Sequence, residues 1–320
     1  MRLRHRGKKR MLIIVNPYAT TVSDRLKNLV VYALQGRYEV EAVSTEAQNH
    51  ATEIGREARD GGYDVVVAFG GDGTLNEVAN GLAGTDVPVS VLPGGSTNVV
   101  CRTLGIPNDV VDATEHLLSV ADEWAPRRID LGTVDDRHFV FSCGVGIDAT
   151  VVRRVDANPK MKAKAGPYYY SWAAVSGFYR SYLYKPVRVR VEAGGFEPIE
   201  GITALAQNSD PFTYFANRPI KVCEGVAIDD GTLSMAVLRR AAQRHMPSLM
   251  TRLLSGERLS TAAHRQIEHL DDVTEATVTS ISETRDGAIR PFPVQVDGDY
   301  IGERKRVAIG IEPQSLTVVA

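Results

Sequence analysis

The residues most able to do chemistry lie in two short glycine-rich stretches. Val65–Glu77 reads VVVAFGGDGTLNE, an apolar run that meets Gly70, Gly71, Asp72, Gly73 and Thr74 before a helical pattern begins. Glycines there let the backbone turn tightly and approach a ligand with no Cβ in the way. The helix N-terminus behind them offers free N–H groups and partial positive charge, which suits phosphate. Asp72 would repel a phosphate unless a cation stood between them. An acid in such a loop therefore points to a magnesium-bridged nucleotide or a polarised substrate hydroxyl. The spacing is neither G-x-G-x-x-G nor G-x-x-x-x-G-K-[ST], so neither a Rossmann dinucleotide site nor a P-loop is supported. A second turn of the same kind, Val91-Leu92-Pro93-Gly94-Gly95-Ser96-Thr97-Asn98, supplies hydroxyls to cap a helix and to donate to phosphate. Asn16-Pro17-Tyr18-Ala19-Thr20 adds a third lip.

These loops need strands to carry them. Arg10–Asn16, Tyr38–Ser44, Asp64–Phe69 and Val87–Leu92 read as strands. Helical patterns fall between and after them: one with Leu26, Leu29, Val30, Ala33 and Leu34 on one face behind a Ser23 N-cap, then His50–Asp60, Thr74–Ala83 and Thr97–Leu104. Strand alternating with helix over short connections predicts a parallel sheet with helices on both faces. Neighbouring parallel strands end at one edge, where open α/β folds bind ligands, so the glycine loops converge there. Near Asp130 the pattern changes. Arg137–Ser142, Val187–Glu192, Thr203–Gln207, Thr232–Leu238, Ala276–Ile281, Pro293–Val296 and Val307–Glu312 are strand-like, and helical pattern survives only in Pro167–Tyr184 and Pro247–Leu254. The expectation is a doubly wound α/β domain over 1–131, then an antiparallel β-rich domain over 132–320 whose last residues are free to return to the first. The segment Pro167–Tyr184 carries an aromatic stripe (Tyr168, Trp172, Tyr179, Tyr182), which reads as core packing or as a wall facing lipid.

Bulk properties narrow the setting. Hydrophobic residues make up 43% of 320, enough for a sizeable core without disulfides. Cys101, Cys143 and Cys223 are odd in number and far apart, which suits small core residues in a reducing compartment. No run approaches the roughly 18 apolar residues that span a bilayer, and no signal-peptide stretch follows the basic start. Six Lys/Arg and no acid fall in the first ten residues, leaving 31 basic against 39 acidic residues elsewhere. A basic tail (residues 1–9) on an acidic body argues against nucleic-acid binding. It favours an anionic membrane surface by about 1 kcal/mol per charge near it.

GGDGTLNEVANG at Gly70–Gly81, with PGGSTN at Pro93–Asn98 and RTLGIP at Arg102–Pro107, resembles the catalytic domain of the diacylglycerol kinase and sphingosine kinase superfamily, in its bacterial lipid-kinase branch. The resemblance implies a phosphofructokinase/NAD-kinase-like nucleotide domain followed by an antiparallel β-sandwich, and transfer of the γ-phosphate of ATP to a lipid hydroxyl with Mg2+. By the same resemblance Asn16, Pro17, Tyr18, Ala19, Thr20, Thr45, Gly71, Asp72, Gly73, Thr74, Leu75, Asn76, Glu77 and Ser96 contact the nucleotide. Asp72 is tied to catalytic magnesium or the acceptor hydroxyl, and Asp130 matches a further acid of the site. Val296-Asp297-Gly298-Asp299 is similar to the family's late acidic motif; the resemblance implies its last acid, commonly glutamate and here Asp299, as general base, with Asp72 as the rival for that role. Ala227, Asp230 and Thr232 resemble a loop holding a structural magnesium through one carboxylate and two backbone carbonyls.

Three departures stand out. The first loop carries Ala19-Thr20 where the family has Ser-Gly, Val99 follows Asn98 where an aspartate is usual, and Thr232 replaces a larger residue. The lipid reading, diacylglycerol to phosphatidic acid, stands beside a sphingoid base or NAD as acceptor and beside a non-catalytic sensor suggested by Val99. The protein is expected in the cytoplasm, peripherally at the inner face of the membrane, and the resemblance leaves room for a homodimer.

Overall fold

The computed structural model describes residues 8–157, 186–215, 217–240, 242–255 and 259–320. Two compact units divide the chain: residues up to Ile129 together with Ser315–Ala320, and Asp130–Gln314. The Pro167–Tyr184 stripe and residues 1–7 of the basic tail lie outside the described residues.

In the first unit, strands β1 (Lys9–Val15), β2 (Tyr38–Ser44), β3 (Val65–Gly70) and β4 (Val89–Pro93) form a parallel sheet in the order β2-β1-β3-β4. β3 and β4 are buried throughout, as strands covered on both faces must be, whereas edge strand β2 is half exposed. Helices α1 (Asp24–Leu34), α2 (His50–Ala58), α3 (Asp72–Leu82), α4 (Val99–Thr103) and α5 (Val110–Val120) belong to this unit. Ser23 caps α1 by accepting from Leu26 N at 3.2 Å, as its sequence position predicts. Leu29 departs from the expected apolar face: it is 58% exposed, and α1 buries Val30 and Leu34. The sequence reading placed no helix at α5, although Asp109 caps it and Val110, Ala113, Leu117 and Val120 give it a buried stripe. The last residues of the chain return here. Val318 lies parallel beside Val89, and Val319 N donates to Val89 O at 3.0 Å.

The second unit is β-rich, with strands β5 (Arg127–Val134), β6 (Arg137–Phe139), β7 (Ser142–Gly146), β8 (Val189–Ala193), β9 (Ile199–Gly201) and β10 (Thr203–Gln207). A small hairpin, β11 (Thr213–Phe215) and β12 (Arg218–Ile220), and then β13 (Leu233–Leu238), β14 (Ile267–Val273), β15 (Glu275–Ser280), β16 (Phe292–Val296), β17 (Asp299–Arg304) and β18 (Arg306–Val318) complete it. One layer runs β14-β13-β10-β7-β16-β17, all antiparallel, and β18-β15-β8-β9 supplies the other. Inward residues of both, among them Cys143, Val145, Val191, Met235, Val278, Phe292, Val294 and Val296, make one buried core. The α/β-plus-β-sandwich expectation is met.

Two details differ from the sequence reading. The strand expected over Arg137–Ser142 is broken into β6 and β7, and a helix, α6 (Ile147–Asp156), follows β7 where none was placed. Both differences bear on the site. The last helix, α7 (Met246–Leu254), falls where Pro247–Leu254 was expected.

Candidate active site

The first unit gathers its three loops at the C-terminal edge of the parallel sheet. β3 ends at Gly70, Gly71 caps α3, and Asp72 is the first residue of that helix, two residues earlier than the sequence suggested. The second glycine loop lies directly on the first: Gly94 N donates to Gly70 O at 2.7 Å. A Cβ on Gly94 would come within 2.9 Å of Gly70 Cα, and one on Gly95 within 2.9 Å of Gly71 Cα. Backbone touches backbone here, so no side chain fits at either position. The first loop joins them. Asn16 Nδ2 donates to Thr74 Oγ1 at 3.1 Å, Tyr18 N to Asn16 Oδ1 at 2.9 Å, and Thr21 N to Gly94 O at 3.1 Å. Thr45, 8% exposed, follows β2 and donates its N–H to Val15 O at 2.8 Å.

Within this edge the expected nucleotide contacts divide by task. Pro17, Tyr18, Thr20 and Ser96 are exposed, and Asn16, Ala19, Gly71, Asp72 and Gly73 are partly so. Thr74, Leu75 and Asn76 are buried in the unit, and Leu75 N donates to Gly71 O at 3.2 Å. Glu77 accepts from Asn49 N at 2.9 Å and Ala51 N at 3.1 Å, capping α2 in place of Asn49, whose left-handed backbone (φ 66) makes no side-chain cap. Glu77 thus positions the chain beyond Thr45. Asp72 accepts from Val99 N at 3.0 Å and Val100 N at 3.2 Å, taking up the first turn of α4. Val99 itself is buried. The backbone N–H of residue 99 helps orient Asp72 whatever side chain stands there, and Val99 brings no carboxylate where the family's pattern has one. Burial, reinforced by the Asp72 charge, pushes the neighbouring Cys101 thiol up to about 12.

The second unit carries the other acids. Asp130, 1% exposed, accepts from Gly231 N and Gln314 N, both at 2.7 Å, and so pins two chain segments. Asp297 and Gly298 both have positive φ and form the two-residue turn between β16 and β17 that an Asp-Gly pair favours. The buried Asp297 carboxylate accepts from Val140 N (2.6 Å), Phe141 N (2.9 Å) and Ser142 N (3.0 Å). That explains the break between β6 and β7: the backbone there bonds a carboxylate instead of a neighbouring strand. Asp297 is a positioning acid by geometry. Asp299 opens β17, opposite Val296, and is partly exposed.

Two residues beside this turn were not singled out from the sequence. Asp148 lies in the first turn of α6 and accepts from Gln295 Nε2 at 2.6 Å. Burial raises its pKa from 3.8 to about 6, against the lowering effect of the Gln295 bond. Gln295 also accepts from Gly298 N at 2.9 Å. The signal for Asp148 was present: Gly144-Val145-Gly146-Ile147-Asp148 repeats the order strand, glycine, helix start and acid of the first loop.

A metal would find hard oxygen donors. Asp230 is exposed and accepts from Ala227 N at 2.8 Å and Thr232 N at 3.0 Å, closing the 227–232 loop on its carboxylate. One carboxylate with nearby carbonyls and water suits magnesium. Among the described residues no three His, Cys, Asp or Glu side chains cluster, so phosphate, carbonyl and water oxygens would complete any such shell.

The two units also match known domains in chain order. Residues 10–134 match the diacylglycerol kinase catalytic domain and residues 142–320 the YegS C-terminal NAD kinase beta sandwich-like domain. The chain belongs to the diacylglycerol kinase family. It is 29% identical over 308 residues to a Diacylglycerol kinase of Staphylococcus aureus (strain bovine RF122 / ET3-1), covering 92% of this chain and 88% of that protein. It is 28% identical over 306 residues to the one from strain JH9, with the same coverage. A diacylglycerol kinase structure from Bacillus anthracis str. Sterne shares the fold, with TM-score 0.69 and 19% identity over 97% of this chain and 96% of that one. Family membership makes the protein a kinase. Among the described residues no helix is long and apolar enough to cross a membrane.

Proposed function

We propose that this kinase transfers the γ-phosphate of ATP to a lipid hydroxyl, with diacylglycerol as acceptor and phosphatidic acid as product. The observation that carries the reading is the backbone-on-backbone packing of the two glycine loops, with Asp72 held on the first turn of α4. Such loops admit phosphate where side chains would block it, and an acid beside them requires a cation. Relatives named Diacylglycerol kinase support the lipid acceptor.

Phosphoryl transfer asks the protein chiefly for positioning and charge stabilisation. The loops at Asn16–Thr20, Gly71–Glu77 and Ser96, with Thr45, hold the nucleotide by backbone N–H groups and hydroxyls. Magnesium, when bound, would neutralise phosphate charge, and Asp72, whose carboxylate accepts from two N–H groups of α4, would help hold it. Asp299 takes the acceptor proton, which requires approach to within about 3 Å or through one water. Asp297 holds the turn that leads to it, and Asp130 holds the chain at Gly231 and Gln314. The Asp230 carboxylate, with the Ala227 and Thr232 carbonyls, would hold a second, structural magnesium. The basic tail brings the protein to the inner membrane surface, where its acceptor lies.

Incubation with γ-labelled ATP and a total lipid extract tests this. Label in an extractable product that co-migrates with phosphatidic acid is expected. A parallel incubation with NAD in place of lipid that yields labelled NADP, with no labelled lipid, would move the protein to the NAD-kinase reading, and no transferred label in either would leave a sensor.

A further inference from the structure

β16 alternates. Phe292, Val294 and Val296 face the sandwich core, and Gln295 faces the other way, toward the side on which α6 packs. Gln295 is 1% exposed. A buried amide flanked by valines is costly unless both of its ends are bonded. Here both are. Its Oε1 accepts from Gly298 N, inside the turn that leads to Asp299, and its Nε2 donates to Asp148 Oδ2 on α6. Two backbone features make room for this bridge. Gly144 is the register partner of Gln295 on β7, and a Cβ there would come 2.0 Å from Asp148 Oδ2 and 2.6 Å from Gln295 Nε2. On the other side the β16–β17 register shifts at Gln295, a bulge that absorbs an extra β17 residue. Bulges of this kind re-aim strands next to functional sites.

We infer that Gln295 is a positioning residue for the kinase reaction: its side-chain amide ties the Asp297–Asp299 turn to Asp148, fixing Asp299 for proton removal from the acceptor. The inference rests on the reading of Asp299 as the base. Gln295 is 1% exposed and bonded at both ends within the protein. It acts through the turn, which Asp297 grips from the β6–β7 side and Gln295 grips from the α6 side. A turn held from one side only can rock, and a base displaced by about 1 Å loses on the order of 100-fold in rate.

The test uses the full-length protein with labelled ATP and diacylglycerol in mixed micelles. Gln295→Met keeps the volume and removes both bonds. The expected result is a folded protein whose kcat falls at least ~10-fold while KM for ATP stays within about twofold, because the nucleotide loops belong to the other unit. The exchange Gln295→Glu with Asp148→Asn rebuilds both bonds, reversing donor and acceptor only between positions 295 and 148: the carboxylate introduced on β16 would still accept from Gly298 N and would now accept from the amide introduced on α6. It is expected to recover to within about threefold of wild type, while Gln295→Glu alone, with two carboxylates face to face, is not. A folded Gln295→Met with wild-type kcat overturns the inference, and so does an exchange variant no better than its single parents. Should Gln295→Met not fold, the exchange and its parents decide alone. A wild-type protein inert toward every lipid removes the proposed function and this inference with it. A wild-type protein that phosphorylates diacylglycerol while its Gln295 variants do so equally well removes only the inference.

Discussion

Asp72, Asp148 and Asp297 each sit in a turn beside glycine, and packing gives each a different task. Asp297 is buried and accepts from three backbone N–H groups, whereas Asp72, which accepts from Val99 N and Val100 N, remains partly exposed. Asp72→Asn is therefore expected to lower turnover at least ~100-fold, the scale of losing one electrostatic stabiliser. It also weakens the cap on α4, at a stability cost of about 1 kcal/mol. Steady-state kinetics beside urea unfolding check both, and activity above a tenth of wild type would contradict the role. Asp148 makes a prediction about pH. Its folded pKa of about 6 lies above the ordinary 3.8, so the native state binds the proton more readily than the unfolded chain. Its contribution is fully present below about pH 4 and is lost as pH rises through about 6. Asp148→Asn lacks that loss. Its stability relative to wild type should rise from pH 4 to pH 7 by at most about 3 kcal/mol. Urea midpoints at pH 4, 5.5 and 7 measure it, and parallel curves would refute it.

The α/β unit depends on two strand-to-helix turns pressed together. Gly95→Ala places a methyl 2.9 Å from both Gly71 Cα and Asn98 Oδ1. Neither loop can yield alone, since Gly94 N is bonded to Gly70 O. The expected cost is about 1–3 kcal/mol of stability, as for other overpacked sites, with a KM for ATP raised at least several-fold. Unchanged ATP kinetics would mean that the loops do not meet the phosphates. Most of this half was legible element by element. β1, β3 and β4 are short apolar runs ended by glycine or proline, and Ser23 marks the start of α1. Where the reading failed, a physical reason can be named. Leu29 is exposed because α1 needs only a narrow apolar stripe, and the sequence alone does not show which of two adjacent stripes is covered. α5 carried its Asp109 cap and buried stripe in plain view and was passed over beside the stronger glycine signals. α6 begins directly from a buried strand at Gly146 (φ 94), without a side-chain cap, and so offered no start signal.

Across the whole molecule the three cysteines report one property. All are buried, and burial raises each thiol: Cys101 to about 12, with Cys143 and Cys223 shifted in the same direction. The native protein at pH 8 should therefore react with no thiol reagent at these sites, and the unfolded chain should react at all three. Labelling would then track opening of the fold, and fast labelling of the native protein would contradict the burial. The sequence by itself determined the family, the alternation that builds the parallel sheet, the turn from α/β to β-rich structure near Asp130, and the glycines of the phosphate loops. These are local properties, set by periodicity and by residues that only certain backbones admit. The tasks of the acids were decided by tertiary structure. Glu77 caps α2, Asp297 braces the break between β6 and β7, and Val99 lends Asp72 an N–H. In each case the partners lie 26 to 157 residues away, brought together only by folding. A carboxylate's function depends on which donors surround it, and that arrangement exists only once the strands have paired.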